Sequence, residues 1–240
     1  MNKRKHIPAK FLNQEVFLNT QQRDSLVARG LRAVLRNRAL QTKSEPIGVE
    51  EQYRRGIVHY FGDDVPQDYM ESVKYFRLAA DQGHAKAQFN LGNIYERGEG
   101  VPQNYEEALQ WYQRAAAQSH AGAQFNIGVM YAFGEGVSQD FNEALKWYQF
   151  AADQGDAYAQ VNLGAMYCNG HGIHQDYEEA VKWFRKAANQ GDADGQYNLG
   201  QMHYCGTGVP QNIDEAARWH RLAADQGHIE AKQIVFHIPI

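Results

Sequence analysis

A chain of 240 residues that is 43% apolar, 22% charged and carries a net charge of -4 is too hydrophobic and too weakly charged for wholesale disorder. No run reaches the ~18 apolar residues of a membrane helix, and two cysteines are too few for a disulfide framework. The charge is uneven, because residues 1–43 hold ten Lys or Arg against Glu15 and Asp24 only; a basic arm precedes an acidic body.

The start, MNKRKHIPAKFLNQEVFL, has no continuous apolar stretch of the kind a secretory signal needs, which points to a cytoplasmic chain. Residues 20–40 read as a helix with Val27, Leu31, Val34 and Leu35 on one face and Arg29, Arg32 and Arg36 on another. This basic arm suits two roles. It can dock on the body as a leading helix with a solvated Arg face, or make weak contact with an anionic surface. Residues 41–49 (QTKSEPIGV) carry Pro and Gly and read as a linker, so the chain divides into an arm over 1–49 and a body over 50–240.

The body repeats itself. Trp111, Trp147, Trp183 and Trp219 are 36 residues apart, and so are Gly92, Gly128, Gly164 and Gly200, and Gly100, Gly136, Gly172 and Gly208. Self-similarity at such a period is the signature of a solenoid. A first, degenerate unit starts near Glu50, with His59 at the tyrosine position and Asp64 at the second loop glycine. Units follow at 84–119, 120–155, 156–191 and 192–227, and a partial helix from His228 to about Phe236 closes the array. Each unit reads as two antiparallel helices. In the second unit Ala87, Leu91, Ile94 and Tyr95 recur at helical spacing, GEGVPQN turns the chain, and Ala108, Trp111, Tyr112, Ala115 and Ala116 form the buried face of the next helix. The tryptophans read as core residues.

The pattern A-x-x-x-L-G-x-x-Y, G-x-G-V, A-x-x-W-Y-x-x-A-A is supplied almost completely between Ala123 and Gly155 by Ala123, Ile127, Gly128, Tyr131, Gly134, Gly136 and Val137, then Ala144, Trp147, Tyr148, Ala151 and Ala152. These residues resemble the Sel-1-like repeat family, a relative of the tetratricopeptide repeat, over about residues 50–236. The resemblance implies an all-α, right-handed α/α superhelical solenoid that binds other proteins as a scaffold or adaptor. A cysteine-rich branch of the family is associated with penicillin binding and weak β-lactam hydrolysis. The alternative of a β-lactam-binding or amidase-like hydrolase carries over poorly, since the regular cysteines of that branch are missing here.

No nucleophile elbow, Walker loop or dinucleotide fingerprint is present. His171 and His174 share one loop, but two imidazoles without a third ligand make a poor metal site. His84, His120 and His228 recur at one structural slot, which argues for a role in the turn. Glu106-Glu107 and Glu178-Glu179 sit where the positive end of a helix dipole favours acids. The chain is therefore expected to be non-enzymatic, with no catalytic residue, metal, cofactor or small-molecule substrate.

A surface remains. If the array curves as tetratricopeptide arrays do, one stripe of the first helices faces a groove. That stripe contains Phe89, Asn93, Phe125, Val129, Phe133, Tyr158, Val161, Asn169, Tyr197, Gln201 and Tyr204. Its content varies from unit to unit while the scaffold positions do not. The stripe is expected to form a shared groove for a peptide or partner helix, anchored by its aromatics. The competing expectation is that Phe89 and Phe125 pack between adjacent first helices.

Overall fold

In the computed structural model, described over residues 47–63 and 65–237, every regular element is an α-helix, and no strand occurs among the described residues. They fall into two compact units that divide between Gln139 and Asp140. The first unit holds α1 (Val49–Phe61), α2 (Tyr69–Asp81), α3 (Ala85–Arg97), α4 (Tyr105–Ala116) and α5 (Ala121–Phe133). The second holds α6 (Phe141–Asp153), α7 (Ala157–Asn169), α8 (Tyr177–Asn189), α9 (Ala193–Cys205), α10 (Ile213–Asp225) and α11 (Ile229–His237). Along the sequence these are five first-helix/second-helix repeats followed by one further first helix. The division between units falls inside the third repeat. The helix expected over 20–40 and its three arginines lie outside the described residues.

Side chains at the helix starts explain the regular boundaries. Asp68, Asn104, Asp140, Asp176 and Asn212 precede the five second helices, and each accepts the backbone N–H three residues on, at 2.9–3.1 Å. Such a cap contributes about 1 kcal/mol. The histidine slot has the same task at first helices. Nδ1 of His84, His120 and His228 accepts from the N–H of Ala87, Ala123 and Ala231, while Asp156 and Asp192 use a carboxylate for it.

The two glycines of the G-x-G loop do different work. Gly98 ends α3 at φ 73°, in the left-handed region where a Cβ is penalised, and its N–H closes on Ile94 O at 2.8 Å. Gly100 faces the preceding repeat, where an added Cβ would stand 2.5 Å from Tyr69 Cβ. The second glycine therefore marks contact with the repeat before it. The first repeat, which has Asp64 there, has no matched repeat upstream.

Polar residues also hold neighbouring helices together, in a ladder of glutamines. Gln88 Nε2 donates to Ala80 O at 2.9 Å, and Gln88 Oε1 accepts from Gln118 Nε2 at 2.8 Å. The second unit repeats the arrangement with Gln160 on Ala152 O (3.2 Å) and Gln190 on Gln160 (2.8 Å). Each buried glutamine thus satisfies a carbonyl left open at a second-helix end and holds the following helix end in turn. In the loops Gln103 and Gln175 donate to Glu96 O and Cys168 O, at 2.8 and 2.6 Å.

The apolar core of the first unit runs from Tyr53 and Ile57 through Phe76, Leu91 and Ile94 to Trp111. In the second it gathers Val161, Cys168, Val181, Phe184, Leu199, Met202 and Trp219. Trp111, Trp183 and Trp219 are buried as the sequence predicts. Trp147 is a correction, because it is only half-buried. Arg114 lies over Trp111 and Lys186 over Trp183, at 4.4 and 3.6 Å from the ring centroids. The matching place beside Trp147 holds Phe150, packed edge-on at 5.8 Å and itself 54% exposed.

Candidate functional site

The expected binding stripe lies on α3 and α5 in the first unit and on α7 and α9 in the second. Each helix begins at an Asx or His cap and ends at a left-handed glycine, so the stripe positions keep one register from repeat to repeat. What they present to solvent differs strongly. Tyr204 is 51% exposed, while Phe89, Phe133, Tyr158, Asn169, Tyr197 and Gln201 are half-buried. Phe125 is 1% exposed and Val161 0%, and Val129 and Asn93 are also buried. These four offer no open surface as placed. The helical period identifies a face but cannot say what covers it.

Phe89 bears out the expectation of packing between neighbours. Its ring stacks on His120 with centroids 4.6 Å apart and leans on Tyr112 at 5.9 Å. Tyr197 stacks likewise on His228 at 4.3 Å, and Gln201 Nε2 donates to its hydroxyl at 2.9 Å. Where the next first helix is capped by a histidine, an aromatic of the preceding first helix lies against it: Tyr53 on His84, Phe89 on His120 and Tyr197 on His228. That pairing went unread in the sequence, although the two residue types recur 31 residues apart.

The first-unit stripe has a polar centre. The Tyr112 hydroxyl lies 2.7 Å from Asn93 Oδ1 and against the Glu96 carboxylate, and Asn126 Nδ2 donates to Asn93 Oδ1 at 3.2 Å. Burial, with Glu96 beside it, raises the Tyr112 phenol well above its usual range, so it stays a donor. Nearby, Tyr60 donates to Glu99 at 2.6 Å, with Arg97 4.0 Å from the same carboxylate. Burial raises the carboxyl of Glu135, the counterpart of Glu99 one repeat on. This is a hydrogen-bonded, anion-rich edge.

In the second unit Cys168 and Cys205 are not joined in a disulfide. Burial pushes Cys168 up to about 12, which makes it a poor nucleophile. His171 stacks on Phe141 at 4.6 Å. Among the described residues no cluster of three or more His, Cys, Asp or Glu is placed to hold a metal, and no helix is long and apolar enough to cross a membrane.

Tandem helix pairs, locked by loop glycines and tryptophans that recur at a 36-residue step, define an α/α-solenoid repeat protein. The Sel1 repeat model matches residues 52–84, 85–120, 121–156, 157–192 and 193–228, and the chain belongs to the Sel1 repeat family. Among solved structures it is similar to a Sel1 repeat protein from Oxalobacter formigenes, with 32% identity and a TM-score of 0.79 over 88% of this chain and 86% of that one. It is also similar to c5321, a protective antigen of uropathogenic Escherichia coli with an SLR fold, at 29% identity and a TM-score of 0.60. That match covers 91% of this chain and 51% of the antigen. Immunity protein Pa5087 from Pseudomonas aeruginosa shares the fold, with 24% identity and a TM-score of 0.52 over 78% of this chain and 70% of that one. No curated protein matches the chain in sequence. Proteins of this repeat family serve generally as protein-interaction scaffolds, and the coarse reading of the sequence agrees with that.

Proposed function

We propose that the chain is a non-enzymatic adaptor that holds a peptide or a partner helix along the first helices of its repeats. The observation that carries this reading is an internal contrast. One helix position is Gly92, Gly128, Gly164 and Gly200 in successive repeats, while the adjacent stripe position is Asn93, Val129, Ala165 and Gln201. A scaffold held constant beside a surface that changes is what selection for a particular partner leaves behind. The anchors are the stripe aromatics that keep some exposed area, Phe133 in the first unit and Tyr158, Tyr197 and Tyr204 in the second. Aromatic side chains dominate binding energy at such surfaces. Two cysteines that form no disulfide with each other are compatible with a reducing compartment such as the cytoplasm.

The experiment is affinity isolation with the full chain and with a Tyr158→Ala/Tyr204→Ala variant, followed by titration of the purified partner. A loss of tenfold or more in affinity, with the melting temperature within a few degrees of wild type, supports the reading. Undiminished affinity for that partner rejects these anchors.

A further inference from the structure

The second helices carry a ring at one position, Tyr75, Trp111, Trp147, Trp183 and Trp219. Four of these rings lie under a cation of the chain itself. Arg55 stands 5.8 Å from the Tyr75 centroid, Arg114 4.4 Å from Trp111, Lys186 3.6 Å from Trp183 and Arg218 5.2 Å from Trp219. Among the described residues, none places a cation over Trp147. Lys146, the residue before it, is held by Glu143 at 2.6 Å, and the residue three on is Phe150 where Trp111 and Trp183 have Arg114 and Lys186. Phe150 meets the indole edge-on and is itself exposed. The charge changes with the ring. Residues 140–156 hold Asp140, Glu143, Asp153 and Asp156 against Lys146 alone, a balance of -3, whereas the matching stretches 68–84, 104–120, 176–192 and 212–228 each balance at -1. An open indole, an exposed phenyl ring and an excess of carboxylate thus coincide on α6.

We propose that Trp147 and Phe150 form a corner that takes an arginine side chain of a partner protein, in the place that the chain's own cations hold in the other repeats. The face of an indole attracts a cation, and a planar, weakly hydrated guanidinium can lie flat on it while its edge meets the phenyl ring. Three of the four resident cations are arginines. Glu143 stands one turn before Trp147 and Asp153 one turn after Phe150, so carboxylates flank the corner along the helix. The repeats that supply their own cation leave no such place, because Trp111, Trp183 and Trp219 are buried while Trp147 is half-buried. The corner lies on a second helix, so it does not rest on the first-helix groove reading.

The test pans a random-peptide display library on the full chain after depletion on a Phe150→Lys variant, which supplies the cation from the chain itself. Sequences recovered on the wild type should be enriched in arginine. One recovered peptide, made synthetically, is then titrated while the indole N–H signals of the four tryptophans are followed by NMR. The Trp147 signal should shift, and affinity should fall about tenfold on Phe150→Lys and again when the peptide's arginine is replaced by citrulline, its neutral isostere. The citrulline arm uses the unaltered chain, so a folding defect in a variant cannot imitate it. Phe150→Ala removes the phenyl ring without supplying a cation and should cost less affinity than Phe150→Lys. Recovery of no arginine-bearing sequence overturns the proposal, and so does citrulline binding as well as arginine. Equal impairment by Phe150→Ala and Phe150→Lys, or self-association that Phe150→Lys abolishes, would assign the pair to an apolar contact and overturn it as well. Tyr158→Ala/Tyr204→Ala should leave this binding unchanged, which separates a failure of the groove reading from a failure here.

Discussion

The ring of Tyr112 lies so close to Gly92 that a Cβ on that glycine would stand 2.3 Å from Tyr112 Cε1. The contact recurs between Gly56 and Phe76, Gly164 and Phe184, and Gly200 and His220, with distances of 2.5–2.6 Å. In these four repeats the helix glycine is therefore the seat of a second-helix ring, and the two helices approach as closely as that ring permits.

Gly92→Ala tests which effect wins. Helix propensity alone would stabilise α3 by about 1 kcal/mol. Overpacking against a fully buried ring costs ~1–3 kcal/mol, and the Tyr112 ring is held in place by burial and by its hydroxyl on Asn93. We expect a net loss of about 2 kcal/mol by denaturant titration for Gly92→Ala and Gly164→Ala. Gly48→Ala, where nothing lies within 4 Å, should change stability little.

The glutamine ladder predicts a loss that no apolar contact explains. Gln160→Ala leaves Ala152 O and Gln190 Nε2 without their partner in a buried setting. Unpaired buried polar groups cost about 1–3 kcal/mol. Gln149, partly buried and making a solvent-exposed hydrogen bond to Asp153 at 2.8 Å, should tolerate the same change within ~0.5 kcal/mol. Thermal melts of the two variants separate the cases.

His220 makes the array sensitive to acid. Burial, with His228 nearby, lowers its imidazole to about 4 from the ordinary 6.5. The folded state keeps it neutral where the unfolded chain takes up a proton. Its contribution to stability is therefore complete above pH 6.5 and is lost as the pH falls toward 4, on the order of 2–3 kcal/mol in total. Asp192 has the opposite slope, because burial raises its carboxyl to about 6 and folding then holds the extra proton between 3.8 and 6. His220→Phe isolates the histidine, since Phe184 shows that a phenyl ring fits over the equivalent glycine. The stability difference between variant and wild type should grow as pH falls from 7 to 4, and a constant difference would reject this account.

The fold was legible because a 36-residue step leaves little freedom. Trp111, Gly92, Gly98 and Gly100 recur together, and only a helix, a left-handed stop, a close loop and a second helix use them all. The glutamine ladder was equally written at that step, in Gln88, Gln124, Gln160 and Gln196, but glutamine reads as a solvated residue unless its repetition is taken as a constraint. The site was less legible. Period placed Phe125 and Tyr204 on the same stripe, yet one is buried and the other half-open, because exposure depends on what lies over a helix. Trp147 shows the same limit within the core, since Trp183 is buried beside Lys186 whereas Trp147 is half-buried beside Phe150.

That residue provides the last prediction. Trp183 is 5% exposed and has Lys186 Nζ 3.6 Å from its ring centroid, so Trp183→Ala should cost ~3–5 kcal/mol. Trp147 is half-buried beside the exposed Phe150, and its truncation removes less buried area. We expect Trp147→Ala to cost about half as much. Phe150→Lys should then stabilise the chain by ~0.5–1 kcal/mol, because it supplies the cation that Arg114 and Lys186 place against Trp111 and Trp183 and removes an exposed phenyl ring. Melting of the four variants decides the point. If Trp147→Ala is as damaging as Trp183→Ala and Phe150→Lys destabilises, the Trp147–Phe150 pair belongs to the core and the missing cation explains nothing.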